Sequence, residues 1–193
     1  MNFVEPIRDR KKIAQIKNLL RGQKRFRYLL LFTVGVNFAL RVSDLLQIGD
    51  FVDAHGQVRA RFTLRAEKRG KRNEVTINDS IKEALTEYLA AYSTIADNPQ
   101  NYVFFNSKRE GFAKPLGRGQ AHQFMKAICT EVGLSGNYGT HTLRKTWGYH
   151  ARLSGVPLEL IMHKFNHNNL AYTKRYLGIT DDELEAVIRK LNL

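Results

Sequence analysis

From Tyr28 to Leu40 the chain carries no charged residue, and the run is bracketed by Arg27 and Arg41. A helix is predicted over Lys24 to Leu40. Beyond its basic first turn it is apolar nearly all round, so it has no solvent face and belongs at the centre of a core. The run is too short to cross a bilayer, which takes about 20 apolar residues. Other elements must therefore cover this helix on every side.

The flanking segments supply the cover. Arg8 to Leu20 places Ile13, Ile16, Leu19 and Leu20 on one side of a helix. Ser43 reads as the N-cap of a short helix, Asp44 to Ile48. Val58 to Ala66 alternates strictly. Val58, Ala60, Phe62, Leu64 and Ala66 point one way; Arg59, Arg61, Thr63 and Arg65 point the other. That pattern predicts a half-buried strand with a basic outer face. A turn over Glu67 to Asn73, with Gly70 at its tip, returns the chain as a partner strand, Glu74 to Ile77. Ile81, Ala84, Leu85, Tyr88, Leu89 and Tyr92 form the next helical stripe. Pro99 to Gly117 is a long connection holding the apolar run Tyr102 to Phe105. A helix over about Arg118 to Val132 turns Phe124, Ala127, Ile128 and Val132 inward. Thr140 can cap a helix that includes His141, Arg144 and Trp147 and ends near Gly155. Others run from Pro157 to Phe165, from Asn168 to Leu177, and from Asp181 to Leu191. Thr180 and Glu183 have capping-box spacing at the start of the last. The fold class is mainly α with a small antiparallel β-sheet (α+β), without internal repeats.

At 193 residues the chain supports one domain, 1–193. Its net charge of +13 sets up self-repulsion that a polyanionic partner would relieve. Nucleic acid fits best; an anionic membrane fits poorly, because no helix sets a Lys/Arg face against a clean apolar face. The single cysteine, Cys129, excludes a disulfide framework and a four-cysteine zinc site. It falls on an apolar helical stripe and reads as a small buried hydrophobe. The N-terminus lacks a signal-peptide apolar region, so a soluble protein of the cytoplasm is expected.

The chemistry-bearing residues are Arg41, Lys68, His141, Arg144, His167 and Tyr176. Arginine forks hold phosphate oxygens bidentately. A lysine near other cations can release a proton. A phenol can form a reversible covalent phosphoester. Taken singly, each signal is weak. Most arginines are solvated, Lys68 sits in a basic turn with Arg69, Lys71 and Arg72, and Tyr172 competes with Tyr176.

Order and context change that weighing. Ala39-Leu-Arg41-Val-Ser-Asp44-Leu-Leu resembles the first arginine box of the tyrosine recombinase (phage integrase) family. Thr140-His141-Thr-Leu-Arg144-Lys-Thr resembles its second box. Phe165-Asn-His167-Asn-Asn-Leu-Ala-Tyr-Thr-Lys-Arg-Tyr176 is similar to its third histidine and nucleophile segment. The resemblance implies the integrase catalytic-domain fold and a site-specific recombinase that cuts and rejoins DNA. Tyr176 would be the nucleophile, giving a 3′-phosphotyrosyl enzyme and a free 5′ hydroxyl. Arg41 and Arg144 would hold the scissile phosphate, Lys68 would be the general acid, His141 would assist proton transfer, and His167 would hydrogen-bond the phosphate. Arg69, Lys71, Arg72 and Lys145 would contact DNA. No metal, ATP or other cofactor is implied. The implied partner is double-stranded DNA, with a dimer or tetramer forming on it and a monomer allowed in solution.

The chain departs from the family pattern in places. Asp44 replaces a usual glutamate, and the acidic group survives. Arg69 replaces a threonine, which leaves Lys68 and Lys71 both open as the acid. Phe165-Asn166 replaces a usual Leu-Gly. The N-terminal clamp domain of the family is expected to be absent. A type IB topoisomerase and a non-catalytic DNA-binding protein of the same fold are the alternatives. A metal-dependent nuclease built on His163 and His167 is weak, because no carboxylate is nearby.

Overall fold

The computed structural model describes residues 4–48, 51, 58–65, 72–98, 101–107, 111–179 and 189. Helix α1 (Arg10–Gly22) starts where the Asp9 side chain accepts a hydrogen bond from the Lys11 N–H at 2.7 Å. It turns Ile16 and Leu20 inward. Helix α2 (Phe26–Phe38) follows and is the centre of the molecule. Leu29, Leu30, Phe32 and Val34 are all 0% exposed. It begins two residues later than expected because Lys24 takes φ 55, outside the helical region.

Helix α3 (Val42–Leu45) has Arg41, not Ser43, at its N-cap, and no side chain caps it. Ser43 falls inside the turn instead. The position of this short helix is set by Leu45 and Leu46, which are buried in the core at 1% and 2% exposure. Strands β1 (Arg61–Arg65) and β2 (Arg72–Thr76) pair antiparallel, with Arg61 opposite Thr76 and Arg65 opposite Arg72. The segment before β1 is not yet a strand: the Arg59 N–H donates to the Phe51 carbonyl, and Ala60 is exposed rather than turned inward. The expected hairpin tip, with Lys68, Arg69, Gly70 and Lys71, lies outside the described residues. So does most of the expected C-terminal helix.

Helix α4 (Asp79–Ala91) is capped by Asn78, whose side chain accepts from the Ile81 N–H at 3.1 Å. Ile81, Ala84, Leu85 and Tyr88 pack on α2. Arg21 of α1 is paired with Glu87 at 2.7 Å and Glu83 at 3.0 Å on α4. A 3₁₀ turn (Ser93–Asp97) leads into an irregular connection, where Phe104 is fully buried. Helix α5 (Arg118–Glu131) buries Phe124, Met125, Ile128 and Cys129, whereas Ala127, expected inward, is exposed.

Helix α6 (Thr140–Leu153) packs against α2. Gly35 permits the approach, since a Cβ there would stand 2.6 Å from Leu143 Cδ1. Its N-cap is Gly139 rather than Thr140. The Gly139 N–H donates to Thr142 Oγ1 at 3.1 Å, and the His122 ring lies so close that a Cβ would meet it at 2.7 Å. Helices α7 (Leu158–Lys164) and α8 (Leu170–Leu177) complete the described chain. They join α6 around a second, smaller core of Ala39, Ile161 and Phe165, with Trp147, Tyr176 and Leu177 packed against it.

Candidate active site

The candidate site lies over the smaller core. Arg144, on α6, is only 6% exposed. Its Nη1 donates to the Ala39 carbonyl at 2.7 Å, and its Nη2 donates to the Phe165 carbonyl. Its guanidinium carbon stands 4.6 Å from the Phe165 ring centroid. Both carbonyls lie where a helix has just ended and acceptors lack intrahelical partners. One guanidinium therefore ties the end of α2 to the end of α7. Each terminal nitrogen keeps a second N–H, and Nε keeps its own, so donors remain for an anion.

Ala39 takes φ 57, a left-handed conformation unfavourable for alanine. It turns the chain sharply between α2 and α3 and delivers the exposed Arg41 to the site. Asp44, one turn along α3, is the carboxylate whose charge favours protonated Arg144, while burial disfavours it most strongly. His141 precedes Arg144 by three residues on the same face of α6. Its pKa is lowered, first by burial of part of the ring, then by the charges of Arg144, Lys145 and Arg41.

His167 follows Asn166, which takes φ 49. That is the conformation glycine adopts freely and asparagine tolerates better than other side chains, so Asn166 suits this turn. His167 Nδ1 is paired with Thr173 Oγ1 at 3.0 Å, leaving Nε2 for a ligand. Burial, helped by Arg144 and Arg41, pushes the imidazole pKa down to about 4.

Tyr176 completes the arrangement from α8. Its hydroxyl is buried and makes no hydrogen bond of good geometry. Burial pushes the phenol up to about 12, against the pull of the nearby Arg144 and Arg41 cations. The ring lies 5.3 Å from Phe165 and 5.2 Å from His167, both nearly perpendicular to it. Tyr172, its competitor in sequence, is 57% exposed and rests on the outer side of His167 at 4.6 Å.

Arg41, His141, Arg144, His167 and Tyr176 thus meet in one place. Lys68 lies outside the described residues, as do Arg69 and Lys71; Arg72 opens β2. Lys145 departs from expectation: it is 6% exposed, with its Nζ 5.0 Å over the Tyr176 ring. It lies within the run Thr142 to Thr146, every residue of which is buried. Lys164, which sequence reasoning passed over, is half-buried at the end of α7, where burial and Arg144 lower its pKa. A lysine in the last turn of a helix gave no signal beyond C-terminal charge. His163 is exposed, and among the described residues no group of His, Cys, Asp and Glu is placed to hold a metal ion. No described helix is long and apolar enough to cross a membrane.

Residues 9–183 match the sequence profile of the phage integrase family, and the chain belongs to that family. It is 32% identical over 191 residues to the "Probable integrase/recombinase YoeC" of Bacillus subtilis, covering 98% of this chain and 97% of that one. Tyrosine recombinase XerA of Pyrococcus horikoshii is 28% identical over 183 residues, 95% of this chain and 59% of that protein. The XerD recombinase of Corynebacterium glutamicum is 26% identical over 122 residues, so the match spans 39% of that relative. The crystal structure of XerA recombinase superposes with a TM-score of 0.74 at 18% identity, over 98% of this chain and 66% of XerA. XerH bound to a palindromic difH substrate, in a post-cleavage complex, gives 0.73 at 19% identity, over 100% of this chain and 54% of XerH. At these identities the superpositions show the fold.

Proposed function

We propose that the chain is a site-specific DNA recombinase or integrase that breaks and rejoins strands through a covalent 3′-phosphotyrosyl intermediate. The observation that carries this is the buried Tyr176 hydroxyl beside Arg144, with Arg41, His141 and His167 around it. Arg41 and Arg144 hold the non-bridging oxygens of the scissile phosphate, so its charge no longer repels a nucleophile. Tyr176 Oη attacks phosphorus, His141 takes its proton, and His167 Nε2 bonds the phosphate. The bond to the 5′ oxygen breaks, and Lys68 is assigned the proton delivered there. A 5′ hydroxyl then attacks the phosphotyrosine and reverses the sequence, so the phosphoester bond energy is conserved without ATP. With the ribbon of β1 and β2 as its small antiparallel sheet, the fold is α+β. Residues 1–193 form one catalytic domain, whose partner is duplex DNA and whose working form on DNA is a dimer or tetramer in the cytoplasm.

The test is a pool of nicked duplexes of random sequence, in which cleavage traps the enzyme on DNA. Wild-type chain should give an SDS-resistant adduct, and Tyr176→Phe none, with DNA affinity nearly unchanged. An adduct retained by Tyr176→Phe and lost in Tyr172→Phe would move the nucleophile to Tyr172.

A further inference from the structure

In sequence, Lys145 is one more cation for a DNA backbone. In the fold it faces inward, with its ammonium over the face of the Tyr176 ring. Desolvating a lysine is unfavourable unless something compensates for lost water. The face of an aromatic ring does so, because its quadrupole is negative there. The attraction strengthens when the phenol is deprotonated, since a phenolate spreads its negative charge into the ring.

The surroundings of Tyr176 are crowded with charge. Arg144 and Lys145 face it from α6, Arg41 from the turn before α3, and His167 from the α7–α8 connection. Arg144 also acts on Lys164 of α7, Tyr172 lies 6.3 Å from Tyr176 on α8, and Glu5 of the N-terminal segment acts on Lys145. Arg144 is already anchored to two carbonyls and is assigned to the phosphate. His167 meets the tyrosine ring to ring. The Lys145 ammonium stands 5.0 Å over the nucleophile's own ring.

We propose that Lys145 is a positioning residue for the nucleophile: its ammonium holds the Tyr176 ring by one face and favours the phenolate that attacks the phosphate. This rests on Tyr176 being the nucleophile. Burial pushes the Tyr176 phenol up to about 12 although Arg144 and Arg41 already pull it down, so an ammonium seated over the ring face adds to their pull where the phenolate must form.

The test uses the full chain and the random pool of nicked duplexes, followed by kinetics on a sequence recovered from it. Lys145→Met keeps the length of the side chain and removes its charge. At saturating DNA it should slow adduct formation by about tenfold, as loss of a desolvated cation–π contact implies. DNA affinity should change by less than about twofold, because a buried ammonium neutralises no phosphate. Lys145→Arg should recover most of the rate. A fluorinated tyrosine at position 176, more acidic than tyrosine, should restore the rate of Lys145→Met, which repair of packing alone would not do. If Lys145→Met fails to fold, Lys145→Gln is read in its place.

Two results would overturn the inference. One is a normal rate at saturating DNA with weaker affinity and a shallower salt dependence, which would make Lys145 a phosphate contact. The other is a slow variant rescued by neither arginine nor the fluorinated tyrosine, which would leave Lys145 a packing residue. Failure of the underlying reading looks different: Tyr176→Phe itself would still form adducts.

Discussion

Arg144 combines two demands in one side chain. It must keep donors for an anion, and it also closes the orphan carbonyls of Ala39 and Phe165. Lysine cannot serve both, because it lacks a planar fork. Arg144→Lys should therefore lower stability by about 1–3 kcal/mol through a buried acceptor left unpaired. Adduct formation at saturating DNA should fall further than the loss of folded protein explains. Thermal melting beside single-turnover cleavage separates the two; a variant with wild-type melting would show that the carbonyl bonds contribute nothing. His167 makes a pH prediction. Its folded pKa is depressed from 6.5 to about 4, so between those values the unfolded chain takes up a proton that the folded chain refuses. Its neutral form is the folded form, so no penalty exists above pH 6.5, and stability is lost as pH falls toward 4. His141 shifts in the same direction. His167→Gln should shrink the drop in melting temperature between about pH 7 and about pH 4.5. An unchanged drop would assign the acid limb to other groups. The spacing of His141 and Arg144 was legible in sequence because residues three apart on a helix share a face. The inward turn of Lys145 was not, since adjacent residues on α6 differ in burial only by what packs beside them.

At the scale of elements, the site depends on how closely α6 approaches its neighbours. A Cβ on Gly148 would stand 2.6 Å from Leu177 Cδ2 and 2.6 Å from Phe165 Cζ, both in the small core that seats Tyr176. A Cβ on Gly35 would stand equally close to Leu143, but in the main core. Each Gly→Ala change should cost about 1–3 kcal/mol by overpacking. Only Gly148→Ala should also slow adduct formation by the protein that remains folded, because relief shifts Leu177 or Phe165, and both side chains pack with Tyr176 in the small core. Comparable rates for folded Gly148→Ala and Gly35→Ala would break the link between that seam and the nucleophile. The helices themselves were legible wherever a long stripe fixed their period, as in α2 and α4. Their ends were not. Ser43 and Thr140 look like caps, yet the N-caps of α3 and α6 are Arg41 and Gly139. Those starts are decided by burial of Leu45 and by the fit of His122 against Gly139, contacts between segments distant in sequence. The candidate site was legible for a related reason: its residues sit in short local patterns, and the family resemblance joined those patterns before any contact between them was known.

For the whole molecule, the decisive quantity is the charge of +13. Excess positive charge opposes compaction; among the described residues Arg21 is bound to Glu83 and Glu87, and Lys82 lies 3.9 Å from Asp79. Arg144 and Lys145 are buried at the site, while Arg27 is spent on the Phe105 carbonyl at 2.7 Å and on aromatic faces. Exposed cations such as Arg41 face solvent, where a polyanion can meet them. Binding to duplex DNA should then be driven by release of condensed counterions. If about six phosphates are neutralised, log affinity should fall against log salt with a slope of roughly −5. The same slope should hold for duplexes of unrelated sequence, because phosphate contacts carry no sequence information. Arg41→Ala should reduce its magnitude by about one, since that exposed guanidinium is assigned to a phosphate, whereas Tyr176→Phe should leave it unchanged. Fluorescence titration across a range of salt concentrations measures all three. A slope near zero in the wild-type chain would mean that the basic surface serves something other than DNA, and a wild-type slope in Arg41→Ala would remove Arg41 from the phosphate.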